Sequence, residues 1–200
     1  MTISGTVVFT GDSITDAGRS ADPSGLGEGY VALLAADPAL AGATVVNTGI
    51  GGNRLPDLLA RLDRDVAAHR PELVSVMIGI NDTWRRYDSD DPTTTADFHD
   101  GYARLLEQLD LITARVVLME PFLLPVTADQ ATWREDLDPK IAVVRDLAAD
   151  HGALLIRTDE LLNARAHEEG TATLAADGVH PTPRGHRALA EIWRSAVADL

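Results

Sequence analysis

Five short apolar runs, rich in β-branched residues, recur at 6–10, 44–47, 73–78, 115–119 and 153–157, each followed by a turn signal. This recurrence constrains the fold more than any other feature, because runs so short and so bounded read as strands buried on both faces. Between them lie segments with helical spacing: Leu55, Leu58, Leu59, Leu62 and Val66; then Phe98, Tyr102, Leu105, Leu106 and Leu109; then Leu137, Ile141, Val144 and Leu147. Each set falls on one stripe of a helix. Asn53 is placed to cap the first, with Pro56 tolerated in its opening turn. A last amphipathic helix is expected from about Arg184 to Ala198, carrying Leu189, Ile192, Trp193 and Val197, with Pro181 and Pro183 at its approach. Strands that alternate with helices imply crossovers and a parallel sheet covered on both faces. At 200 residues the expectation is one such α/β domain over 1–200, since two would be small.

Composition then narrows the class of function. Hydrophobic residues make up 45% and charged residues 24%, the balance of a globular chain and not of a disordered or membrane one. No apolar run approaches the ~20 residues that span a bilayer. A net charge of -14 repels phosphate backbones and anionic lipid, so neither nucleic acid nor membrane is an expected partner. The first residues, Met1 to Gly5, lack the basic start of a signal peptide, and the chain as given reads as cytoplasmic. With no cysteine, thiol catalysis, thiolate metal sites and disulfides are excluded. The acidic stretch 88–92 reads as a surface loop. It fails as a calcium loop because His99 stands where a closing Glu would be needed.

Chemistry is expected at the carboxyl ends of the strands, where an open parallel sheet collects its functional groups. Gly11-Asp12-Ser13-Ile14-Thr15-Asp16 follows the first run. Taken alone, Ser13 reads as a helix cap. Gly49, Gly51 and Gly52, with Asn53 and Arg54, follow the second run, and glycines there let main-chain N–H groups approach a substrate oxygen. Gly79-Ile80-Asn81-Asp82 ends the third run with an amide able to donate to an oxyanion. In Asp177-Gly178-Val179-His180, a carboxylate three residues before a histidine can fold back and fix the imidazole tautomer, leaving the other ring nitrogen to take a proton from serine. The other five histidines read as surface residues, with His186 the nearest decoy. Together the four segments supply nucleophile, base, base orienter and oxyanion donors for acyl transfer.

In these four blocks and their order the sequence resembles the SGNH hydrolases, the GDSL esterase family. The resemblance implies a three-layer α/β/α, flavodoxin-like fold with a five-stranded parallel sheet. It implies Ser13 as nucleophile, His180 as base and Asp177 as its orienter. An oxyanion hole would come from the N–H groups of Ser13 and Gly52 and the Asn81 amide, with no cofactor. Asp12 and Asp82 are expected to hold their loops through main-chain hydrogen bonds. The wider pattern, including Gly29-Tyr30-Val31 and Asn81-Asp82-Thr83-Trp84-Arg85, is similar to a bacterial branch of acetylxylan and acetylated-oligosaccharide esterases. That likeness implies short acyl esters as substrates, sugar contacts from Arg54 and Trp84, and a homo-oligomer. A lysophospholipase or thioesterase is the alternative within the fold, and a non-catalytic carbohydrate-binding protein the alternative outside catalysis.

Overall fold

The structure, a computed structural model, describes residues 3–112 and 115–198. In chain order it runs β1 (Ser4–Gly11), α1 (Ser13–Asp16), α2 (Tyr30–Ala35), β2 (Gly42–Asn47), α3 (Leu55–Asp65), β3 (Leu73–Met77), α4 (Ile80–Asp88) and α5 (Thr95–Ile112). It continues with β4 (Val116–Met119), α6 (Ala128–Thr132), α7 (Arg134–Asp150), β5 (Leu154–Ile156), α8 (Thr158–Glu169), α9 (Thr171–Leu174) and α10 (Pro183–Ala196). The strands form one parallel sheet in the order β2-β1-β3-β4-β5. The order reverses at β1, so the crevice at the carboxyl ends of β1 and β3 is the place for a site.

Period-two alternation splits the core. Val7 and Phe9 of β1, with Leu73 and Met77 of β3, point to one face and pack with α2, α8 and α10. Val8, Val74, Val76 and Leu118 point to the other and pack with α3 and α5. Helix α7 serves both, giving Leu137 and Ile141 to the first cluster and Val144 and Leu147 to the second. Among the described residues no helix is long and apolar enough to cross a membrane.

All five strands form where they are expected, though β4 and β5 are shorter and the last helix stops at Ala196. Asn53 does not cap α3. Arg54 occupies that position, its N–H donating to the Asp57 carboxylate at 2.9 Å, while the Asn53 side chain is drawn away to Arg61. Three longer helices were not legible. Helix α2 has six residues, α8 lacks an apolar stripe and leaves Leu161 exposed, and α4 begins within the segment read as the end of a strand. The strand stops at Met77 because Gly79 turns the chain at φ 131, where a Cβ would lie 2.9 Å from Phe98.

Candidate active site

The loop after β1 places Ser13 at the first position of α1. Asp12, not Ser13, caps this short helix, accepting the Ile14 N–H at 3.0 Å, which leaves the Ser13 hydroxyl free for other work. Gly11 permits the turn, since a Cβ there would stand 2.2 Å from the Met77 carbonyl oxygen. Across 167 residues of sequence, the Ser13 Oγ lies 3.0 Å from His180 Nε2. His180 Nδ1 lies 2.6 Å from Asp177 Oδ2. An acceptor on Nδ1 keeps the ring proton there, so Nε2 accepts from the serine hydroxyl.

Asp177 is itself held by its loop, its Oδ1 accepting the N–H groups of Val179 at 2.9 Å and His180 at 2.7 Å. Partial burial works against its charge, but the hydrogen bonds from the His180 ring and these two N–H groups prevail and keep the carboxyl below its usual range. Gln130 fastens the loop to the rest of the fold by donating to the Asp177 carbonyl at 2.6 Å while accepting the Val126 N–H at 2.9 Å.

The glycine segment sorts its own members. Gly49 donates to Asn47 Oδ1 at 2.9 Å and Gly51 to Asp16 Oδ2 at 3.1 Å. Among the described residues the N–H groups of Gly52 and Ser13 have no partner. Asn81, in the first turn of α4, donates one amide hydrogen to the Asn53 carbonyl at 3.0 Å, leaving the other free. These three are the donors that the sequence indicates for an oxyanion.

Two buried carboxyls lie behind them. Desolvation pushes Asp12 up to about 7 and Asp82 up to about 6, against the opposing pull of the Ile14 and Leu55 N–H groups. Both hold main chain, as expected of them, and Asp12 Oδ2 is buried without a partner among the described residues.

Arg54 and Trp84 are placed differently: only Trp84 has a contact with a residue of the Ser13–His180–Asp177 chain among the described contacts. The Arg54 guanidinium pairs with Asp91 at 3.0 Å. Trp84 is half-buried, its ring 5.7 Å from the His180 ring and 5.6 Å from Trp133. His186 is not the surface residue expected. It is mostly buried, accepts the Tyr30 N–H at 3.2 Å, and burial pushes its ring down to about 4. Of the remaining histidines, His151 faces Asp110 at 2.7 Å and His99 faces Asp100 at 3.2 Å.

Sequence reasoning missed the residue that ties the site loops together. Arg61, buried on α3, donates to the Gly11 carbonyl at 2.8 Å, the Thr48 carbonyl at 2.6 Å and Asn53 Oδ1 at 2.7 Å, and pairs with Asp65 at 3.0 Å. The one available signal was its place three residues after Leu58 on the buried side of the helix. Asn47 plays a similar part, donating to the carbonyls of Thr15 and Leu26.

Residues 9–188 match the model of the GDSL-like lipase/acylhydrolase family. The chain belongs to that family. It is 40% identical over 202 residues, covering 94% of this chain and 91% of the relative, to an acetylxylan esterase of Geobacillus stearothermophilus. A crystal structure of an acetylxylan esterase from that organism superposes with a TM-score of 0.88 at 35% identity, covering 100% of this chain and 98% of the other. A further structure of that enzyme, with a serine replaced by alanine and described as a catalytic mutant, has a TM-score of 0.88 at 34% identity over 98% and 96% of the two chains. The protein is accordingly a carboxylic ester hydrolase of the three-layer SGNH fold.

Proposed function

We propose that the protein is a serine esterase that removes acetyl groups from small carbohydrates, with Ser13 as nucleophile. The observation that carries this reading is the continuous chain from Asp177 through His180 to Ser13, at 2.6 and 3.0 Å. His180 Nε2 takes the Ser13 proton as Oγ attacks the ester carbonyl. The N–H groups of Ser13 and Gly52 and the free hydrogen of the Asn81 amide receive the oxyanion. The protonated imidazole, steadied by Asp177, gives its proton to the departing sugar oxygen, leaving an acetyl-enzyme that water hydrolyses by the same relay. No step needs a cofactor.

The sugar assignment rests on the acetylxylan esterase relatives and on the rim chemistry. Trp84 offers an indole face beside the base, and Arg54 spends only part of its guanidinium fork on Asp91. Measuring kcat/KM for p-nitrophenyl esters from C2 to C10, with acetate release from acetylated xylo-oligosaccharides, tests it. Activity should fall steeply from acetate toward octanoate. A maximum at C8 or longer would move the assignment to a lysophospholipase or thioesterase. Trp84→Ala should weaken sugar turnover far more than p-nitrophenyl acetate turnover, and equal losses would make Trp84 a packing residue only.

A further inference from the structure

A cleft of about 220 Å³ opens next to the His180 loop, lined by Ala17, Glu28, Pro181, Pro183 and His186. It is smaller than the ~300 Å³ at which drug-sized sites begin, a size for one small ring. Pro181 follows His180 directly, and Ala17 closes the short helix that Ser13 opens.

Unusual backbone builds this cleft. Ala17 holds the left-handed conformation at φ 42, uncommon for a residue with a Cβ, and its carbonyl accepts the Glu28 N–H at 2.9 Å. Glycines flank Glu28 because nothing larger fits. A Cβ on Gly27 would stand 2.6 Å from the Asp16 carbonyl oxygen, and one on Gly29 would stand 2.5 Å from Ala17 Cβ and 2.9 Å from the His186 ring. The close approach presents the exposed Glu28 side chain to the cleft, and among the described residues its carboxylate has no hydrogen bond or ion pair. His186 is the complementary case. Its Nδ1 accepts the Tyr30 N–H, so the ring proton resides on Nε2, which has no partner among the described residues. One acceptor residue and one donor residue therefore line a cleft walled by prolines and an alanine, and one of those prolines, Pro181, adjoins His180 in the chain.

We propose that this cleft is a subsite for the alcohol portion of the ester, binding neighbouring hydroxyls of a neutral sugar ring, with Glu28 accepting from one and His186 Nε2–H donating to the other. The proposal rests on the carbohydrate reading above and adds a discrimination to it. With the unpaired Glu28 carboxylate lining the cleft, a ring bearing its own carboxylate is disfavoured by like charge.

The test compares wild type with Glu28→Ala and Glu28→Gln, each checked for an unchanged melting curve. For each, the ratio of kcat/KM on acetylated xylobiose to kcat/KM on p-nitrophenyl acetate is measured, together with inhibition of p-nitrophenyl acetate hydrolysis by free xylobiose. The ratio should fall about tenfold in Glu28→Ala and less in Glu28→Gln, which keeps an acceptor oxygen, and xylobiose should inhibit Glu28→Ala correspondingly more weakly. An unaltered ratio with unaltered inhibition, in variants of an enzyme that does deacetylate xylobiose, would overturn the subsite and leave the carbohydrate reading standing. A wild-type enzyme that hydrolyses p-nitrophenyl acetate but releases no acetate from any acetylated sugar would overturn both.

Discussion

Ser13 and Asp12 are adjacent in sequence and opposite in physical character. Ser13 contributes little to packing, so Ser13→Ala should leave the fold intact while lowering kcat by roughly 10³-fold or more. His180→Ala should be similarly damaging, and combining the two should cost little more, because the groups act as one unit. A Ser13→Ala enzyme with near wild-type turnover would end the assignment. Asp12 instead bears on stability. Its folded value of about 7 lies above the ordinary 3.8, so between those pH values the folded chain keeps a proton that the unfolded chain has released. Stability is therefore lost as pH rises from about 4 to 7. With about 1.4 kcal/mol for each tenfold change in proton affinity, the upper bound is on the order of 4 kcal/mol. Asp12→Asn keeps an oxygen for the Ile14 N–H and removes the titration, so its unfolding free energy relative to wild type should improve from pH 5 to pH 8. A difference that did not change with pH would show that Asp12 is ionised throughout that range.

At the scale of elements, the site is assembled where four loops meet, and α3 is the brace. Arg61 takes the carbonyls of Gly11 and Thr48 and the side chain of Asn53 into one planar fork, linking the loop that carries Ser13 to the loop that carries Gly52. A lysine ammonium is a point donor and cannot reproduce that geometry. Arg61→Lys should therefore lower kcat roughly tenfold or more with a smaller change in KM, since small misplacements of reacting groups are costly. Stability should fall by about 1–3 kcal/mol for the acceptors left unsatisfied. Loss of stability with kcat unchanged would reduce Arg61 to a structural strut.

Over the whole molecule, the decisive event is the docking of α10, since it brings the loop carrying Asp177 and His180 onto the end of β1. Trp193 fixes that helix. It is fully buried, 5.1 Å from the Phe9 ring, and its Nε1 donates to Ser75 Oγ at 3.0 Å across 118 residues. Trp193→Phe should cost on the order of 1–3 kcal/mol for the unpaired Ser75 hydroxyl, plus a cavity penalty. Catalysis by the folded fraction should be largely retained. A denaturant titration read alongside kcat separates the two, and an unchanged midpoint would show that Ser75 finds another partner.

The order of the five strands along the chain and the four segments that meet around Ser13, Asp177 and His180 were legible in the sequence, because period-two spacing and turn chemistry act over a few residues. Helices α2, α4 and α8 were not, since one is too short, one opens on a strand-end motif and one lacks an apolar stripe. The same limit applies to the supports of the site. Arg61 looks like any charged residue on a helix until three acceptor oxygens from two loops converge on it. The bury of His186 depends on Gly29, 157 residues away. That the N–H groups of Gly49 and Gly51 are taken while that of Gly52 has no partner among the described residues depends on where Asn47 and Asp16 lie in space. Local propensity determined which groups are available, while long-range packing decided which hydrogen bonds they make, because a hydrogen-bond partner is fixed by position in space and not by distance along the chain.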